Sequence, residues 1–341
     1  MKVIVTTRYG PPEVLELQEM PLPVPREDEV LIRLYASSVN PLDSFTIRGP
    51  LIFLPAIARR LKPAHPIAGA DLAGIVERVG RNVTRFQSGD EVYGGSFGKN
   101  GLGGFAEYVC AAETYLAKKP VNLSFEEAAA VPVAAITALQ ALRDHGQIRQ
   151  GQRVLIDGAS GGVGTFAVQI AKAFGAEVTA VCSPHNVETA RSIGADHVMD
   201  YTRGDFVRDS ERYDLIIGAN AHHSIFAYRR ALRPSGIFVM VGGAPIRILE
   251  SALLGPVLSL LGSRKMRFFI AKINATELDF LKEIIEAGKV SPIIDRCYPL
   301  SQVADAFRYR ELGHARGKIV ITIARSNDCA RATAQGDALI T

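Results

Sequence analysis

The stretch Arg153-Val154-Leu155-Ile156-Asp157-Gly158-Ala159-Ser160-Gly161-Gly162-Val163-Gly164 decides how the rest of the chain is read. Its first five residues read as a strand, the next seven are nearly all small, and residues 163–174 continue with the apolar period of a helix. A glycine motif alone is weak evidence, but between a strand and a helix it points to a phosphate cradle. A phosphate there must come close to backbone N–H groups and to the positive end of the helix dipole, and bulky side chains would keep it away. Ala159, Ser160, Gly161, Gly162, Val163 and Gly164 are therefore candidate dinucleotide-binding residues. Ala159 stands where the usual fingerprint has its first glycine, and Gly164 has no Cβ to hold the helix off the strand. The alternative is an ordinary tight turn of an α/β protein.

Downstream, strands alternate with helices: a strand at 177–182, a helix at 187–193, short strands at 197–199 and 214–217, a helix within 224–232 and a strand at 236–241. Such alternation builds a parallel, doubly wound sheet. Upstream, Ser124-Phe125-Glu126-Glu127 is a capping-box pattern that opens an Ala-rich helix expected to run past Pro132 toward Arg143. Residues 1–122 carry short alternating apolar runs punctuated by Gly and Pro, which favours a compact barrel or sandwich. After 272 come a helix at 275–287, Ile293-Ile294, a helix at 302–309 and a last strand at 318–323. The polar, patternless stretch from 325 reads as a frayed tail.

A chain of 341 residues with 48% hydrophobic content has room for about two domains, each with its own core. Its net charge of +4 is spread along the chain and argues for no nucleic-acid partner. The cysteines at 110, 182, 297 and 329 contain no C-x-x-C pair, which excludes the common thiolate zinc sites and implies no disulfide framework. The N-terminus reads directly as a strand without a secretory h-region, and no apolar run reaches the ~18 residues of a membrane helix. The nearest run, 246–261, is broken by Arg247, Glu250, Gly255 and Pro256. The expected setting is reducing and cytoplasmic.

The second cofactor signal is a missing charge. Folds that prefer NAD place Asp or Glu about 20 residues past the motif, where it binds the ribose 2′-hydroxyl. Here that strand ends in Val181-Cys182-Ser183-Pro184-His185-Asn186, with no carboxylate before Glu188. The small hydroxyl of Ser183 accommodates a 2′-phosphate, and His185 and Arg191 are placed to donate to it, which favours NADPH. His185 reads equally well as a surface-loop histidine.

With these residues in view, the chain resembles the zinc-independent quinone oxidoreductase branch of the medium-chain dehydrogenase/reductase superfamily. The ordered motifs are Asn40-Pro41-Leu42-Asp43, Gly69-Ala70-Asp71-Leu72-Ala73-Gly74, Gly89-Asp90-Glu91-Val92, Gly104-Phe105-Ala106-Glu107-Tyr108, the glycine turn, Gly194-Ala195-Asp196 and Arg316-Gly317-Lys318. The resemblance implies an α/β fold with a GroES-like β-barrel catalytic domain (1–123 and 273–324) and an inserted, doubly wound Rossmann NADP-binding domain (124–272), leaving 325–341 as a flexible tail. It also implies an active site in a cleft between the domains, and a homodimer. By the same resemblance Asn40 and Asp43 lie at the cleft floor near nicotinamide and substrate, Thr137 faces the nicotinamide, and Tyr201 meets the adenosine 2′-phosphate. Asn40 also reads as a turn residue before Pro41. Val241 and Gly242, after a strand, are expected to pass the nicotinamide ribose, and Lys318 either reaches the cofactor or is a solvated cation.

Zinc-dependent relatives carry a Cys near position 40 and Gly-His-Glu near position 70. Here the residues are Asn40 and Gly69-Ala70-Asp71, and the lobe of four close cysteines is missing, so no metal is expected. Without a Lewis acid the easier reaction is hydride donation to an acceptor that is already electron-poor. The expected function is NADPH-dependent reduction of a quinone or an α,β-unsaturated carbonyl. Two alternatives stand beside it: an enoyl-thioester reductase, disfavoured because 44–48 lacks the usual Tyr, and an NADPH-binding protein without turnover. The apolar-then-basic segment 49–66 and the run 246–261 read as walls of an apolar pocket, as surfaces for a membrane or partner, or as core-covering helices.

Overall fold

The structure, a computed structural model, describes residues 1–49, 63, 66–97, 103–204, 206, 212–313 and 315–324. The tail at 325–341 and most of segment 49–66 lie outside these residues. The chain divides into two compact units: Met1–Val133 with Ile273–Glu286 and Pro292–Thr341, and Ala134–Lys272 with Ala287–Ser291. The first boundary falls at 133, beyond the expected 123.

In the first unit, strands β1 (Lys2–Thr6) and β2 (Leu15–Glu19) form a two-stranded sheet. The main sheet uses β3 (Glu29–Val39), β4 (Asp71–Val79), β5 (Glu91–Gly95), β6 (Tyr108–Ala112) and β7 (Leu116–Lys118), numbered in chain order, together with β14 (Ile294–Pro299) and β15 (Lys318–Thr322). Its order among the described residues is β14-β15-β3-β4-β5-β7, with β6 also paired to β3. β3 is buried along almost its whole length, which suits a strand flanked by β4, β6 and β15. Val30, Ile32 and Leu34 on it pack with Leu72, Val76, Val92, Val109 and Leu116. A second cluster joins Ile4, Ile47, Phe105, Phe307, Ile319 and Ile321, so side chains from both ends of the chain share one core. Each fully buried Val, Leu, Ile or Phe stabilises by about 1.5–3 kcal/mol.

Helix α1 (Pro41–Arg48) follows β3 directly. The Ala-rich region departs from the expected single helix: α2 (Phe125–Ala129) ends, and α3 (Pro132–Gln140) starts afresh. Pro132 cannot donate an N–H to the preceding turn and its ring clashes with the carbonyl four residues back, so the helix breaks there and restarts with proline at its first position. The capping box at the start of α2 forms, with Glu127 N–H donating to Ser124 Oγ and Ser124 N–H to Glu127 Oε2.

The second unit is a six-stranded parallel sheet of β8 (Arg153–Asp157), β9 (Glu177–Cys182), β10 (His197–Asp200), β11 (Tyr213–Gly218), β12 (Leu232–Met240) and β13 (Lys265–Phe268), in the order β10-β9-β8-β11-β12-β13. Helices α4 (Gly162–Ala173), α5 (Val187–Ser192), α6 (Ile225–Ala231) and α7 (Pro245–Leu260) join them. Val154, Leu155 and Ile156 on central β8 are wholly buried, as a strand covered on both faces requires. Strand order reverses between β8 and β11, the switch point where ligands bind open α/β sheets. The run 246–261 is helix α7; among the described residues no helix is long and apolar enough to cross a membrane. Helices α8 (Ala275–Glu286) and α9 (Val303–Glu311) belong to the first unit. Among the described residues Cys110 and Cys182 are free.

Phe307 is buried edge-on against Phe105, with ring centroids 5.9 Å apart. Phe307→Ala is expected to destabilise the first unit by about 3–5 kcal/mol through lost burial and a cavity. Denaturant unfolding followed by circular dichroism measures this; a loss below about 1 kcal/mol would contradict the packing described.

Candidate functional site

The glycine turn lies at the switch point. Gly158 adopts φ +84°, and a Cβ there would meet Asn220 Cβ at 2.5 Å, so this position requires glycine twice over. Sequence reading passed over Gly158 in favour of Ala159; the available signal was its place immediately after the strand. A Cβ at Gly164 would lie 2.1 Å from the Gly158 carbonyl, which confirms the close approach of helix and strand. A Cβ at Gly161, by contrast, would meet nothing nearer than 3.6 Å. Gly161 is the N-cap of the twelve-residue α4, and no side chain caps that end. Glycine-lined space in front of uncapped helical N–H groups fits a dinucleotide pyrophosphate. Ala159 is buried, its N–H bonded to the Val181 carbonyl.

The end of β9 carries the ribose candidates. Ser183 Oγ accepts a 2.9 Å hydrogen bond from Asn186 Nδ2, and Asn186 is buried, a partner that sequence reading did not single out. Its signal was a polar residue three positions on, one turn away. Tyr201 N–H donates to the Cys182 carbonyl, which sets the exposed Tyr201 beside the strand end that carries Ser183. His185 is exposed. A cavity of about 680 Å³ opens along this edge, with Pro184, Val187, Arg191, Met199 and Arg203 in its lining. Val241 and Gly242 donate to the Gly218 carbonyl, both at 3.0 Å, so they too stand at the ends of the central strands. Thr137 is half-buried on α3.

The first unit holds a different constellation. Asn40, Asp43, Asp71 and Lys318 are all buried. Asp71 Oδ2 accepts from Ser38 Oγ (2.5 Å), Asn40 Nδ2 (2.8 Å) and Lys318 Nζ (3.2 Å), and Oδ1 accepts from Val133 N–H (2.8 Å). Lys318 Nζ also donates to Asn40 Oδ1 at 2.7 Å. Asp43 accepts from the N–H groups of Asn40, Gly69 and Ala70. Burial pushes the Asp43 carboxyl up to about 7; its bond from Asn40 N–H opposes this, and the nearby Asp71 charge adds to it. Both ends of the Asn40 amide are thus engaged inside the protein, and Lys318 is an ion-paired core residue instead of a solvated cation. Asp71, set aside by sequence reading as unable to hold a metal alone, is the hub of the cluster.

Two families match parts of the chain: "Zinc-binding dehydrogenase" over residues 193–321 and "Alcohol dehydrogenase GroES-like domain" over 26–121. The 2-methylene-furan-3-one reductase of Solanum lycopersicum is 36% identical over 94% of this chain and 79% of its own length. The chain belongs to the medium-chain dehydrogenase/reductase superfamily, in its quinone oxidoreductase-like branch. Within that superfamily, the chloroplastic NADPH-dependent alkenal/one oxidoreductase of Arabidopsis thaliana is 33% identical over 94% of this chain and 79% of its own. The solved quinone oxidoreductase of Coxiella burnetii superposes with a TM-score of 0.83 at 31% identity, covering 95% of this chain and 99% of that one. The first unit is accordingly a GroES-like catalytic domain and the second a Rossmann domain.

The buried cluster leads to a direct test. Lys318→Met removes the ammonium and leaves Asp71 charged in a dry core, a change expected to cost about 3–5 kcal/mol. Denaturant titration of the variant against wild type checks this; equal midpoints would mean that the pair contributes nothing.

Proposed function

We propose that this chain is an NADPH-dependent, zinc-independent oxidoreductase that transfers hydride to quinones or α,β-unsaturated carbonyls. The observation that carries the reading is the pairing of an uncapped, glycine-lined helix start with a neighbouring strand end that bears Ser183 and no carboxylate. NADPH supplies the hydride when bound. The chain's part would be to hold it: the N–H groups at the start of α4 would receive the pyrophosphate, Ser183, His185 and Tyr201 the adenosine 2′-phosphate, and Val241, Gly242 and Thr137 the nicotinamide end. The names of the related enone reductases and quinone oxidoreductase support the acceptor class.

Zinc independence rests on the donor set. Ala70 offers no imidazole, and Asp71 is occupied by four protein donors, one of them an ammonium. Among the described residues no group of three or more His, Cys, Asp or Glu converges as a metal site would. A conjugated acceptor takes hydride without a metal to polarise it, because charge spreads into its own π system. Asn40 and Asp43 then act by shaping the floor of the catalytic domain, since their polar atoms are committed to the cluster.

The decisive experiment is NADPH and NADH oxidation against simple quinones and short enones with chelator present. Chelator-resistant turnover that prefers NADPH is the expected result; stoichiometric zinc with chelator-sensitive alcohol oxidation would overturn the proposal. Ser183→Asp is expected to weaken NADPH by at least tenfold through repulsion of the 2′-phosphate, with little change for NADH. Unchanged NADPH affinity would remove Ser183 from the site.

A second copy of this chain completes the reading. The exposed residues of α7 are apolar, including Ile246, Leu249, Leu253, Val257 and Leu260, while Ser251 is buried and Arg247 and Glu250 pair with each other. Beside it, β13 is the edge strand of the sheet among the described residues, and Phe268 and Ile270 continue the apolar surface. A stable interface covers about 800 Å² per partner. Light scattering is expected to show a dimer, and Leu253→Glu with Leu260→Glu a monomer; a monomeric wild type would refute the assignment.

A further inference from the structure

The residue that closes β8 is an aspartate, placed directly before the anion cradle. Asp157 is largely buried, and its carbonyl accepts from the N–H groups of Ala219 (2.9 Å) and Asn220 (3.0 Å), so it sits in the switch-point crevice between β8 and β11. A carboxylate directly before the cradle would repel the phosphates of a bound dinucleotide unless its charge were directed elsewhere. The structure directs it. Asp157 Oδ2 accepts a 2.5 Å hydrogen bond from Tyr228 Oη, on helix α6. The crossovers β8-α4-β9 and β11-α6-β12 run in opposite directions along the sheet, so right-handed connections put α4 and α6 on opposite faces. The bond to Tyr228 therefore draws the carboxylate toward the face opposite the cradle helix.

Tyr228 is itself tightly held. Its ring is buried, stacked on Phe238 with centroids 4.4 Å apart, and flanked edge-on by His223. Burial and the adjacent Asp157 charge raise the phenol far above its ordinary range, so it remains a proton donor throughout the working pH range. The backbone of His222 and His223, on the loop after β11, opposes the upward shift of this phenol.

We propose that Tyr228 is a positioning residue for the dinucleotide: its hydroxyl holds the Asp157 carboxylate away from the pyrophosphate and ties it to the loop that follows β11. The proposal rests on the assignment of the glycine turn as the NADPH site. The test is NADPH affinity, read by calorimetry and nicotinamide fluorescence without any acceptor, for the full chain and three variants. Tyr228→Phe keeps the ring and its stacking and is expected to weaken NADPH by at least fivefold. Asp157→Asn is expected to bind within twofold of wild type. The double variant, which has no charge left to misplace, is expected to recover most of the loss. A purely structural role predicts the opposite for the double variant, which would bind as weakly as Tyr228→Phe or worse. Wild-type affinity in Tyr228→Phe, or no recovery in the double variant, would overturn the inference. A wild type that binds no NADPH would overturn the cofactor assignment and this inference with it.

Discussion

The buried ion pair between Lys318 and Asp71 is the constraint on which the catalytic domain depends. Taking two charges out of water is costly, and a pair of this kind persists only where every remaining polar atom finds a partner. Ser38, Asn40 and the Val133 amide supply those partners from β3, the start of α1 and the start of α3. The same carboxylate thus fixes the register of β15 beside β3, the entry into α1 and the point where the chain restarts its helix after Pro132. Close by, Asp43 gathers the amides of Gly69 and Ala70 and anchors the run into β4. One lysine near the C-terminus therefore organises residues spread across the first 133 positions.

How much of this could be read beforehand depended on distance along the chain. The glycine turn was legible because strand, small residues and helix are contiguous, and the physics of phosphate binding constrains neighbours. The parallel sheet was legible because each βαβ step is local. Asp71 and Lys318 are 247 residues apart, and nothing in either neighbourhood announces the other; each looked like an isolated charge. Asn40 was read as a site residue on motif alone, and only the packed structure reveals that its amide is fully engaged. Gly158 was overlooked because its need for glycine comes from Asn220, on another strand end. Local helical periodicity likewise overran Pro132, where the loss of one N–H outweighs a run of alanines.

The two units handle charge in opposite ways. The catalytic domain buries Asp43 and Asp71 and satisfies them from within, one by backbone amides and the other by a lysine. The Rossmann domain keeps its helix start uncapped and the end of β9 free of carboxylates, with one aspartate held aside by a tyrosine. The first arrangement suits a rigid floor and the second an anionic ligand. Helix α7 is apolar on both sides: Ile248 and Leu258 pack on the core, and Ile246, Leu253, Val257 and Leu260 face outward.

The pairing of β3 with β15 also bears on synthesis. The Rossmann unit is nearly continuous in sequence and completes its sheet from residues 153–268. The first unit emerges from the ribosome earlier but lacks the partner for residues 36–39 of β3, and the cation for Asp71, until residues 318–322 are made. Its N-terminal strands wait, with an unpaired edge and an uncompensated carboxylate, while more than half of the chain is translated. Domains usually fold in order of synthesis; here the unit whose sheet is completed first is the one made later.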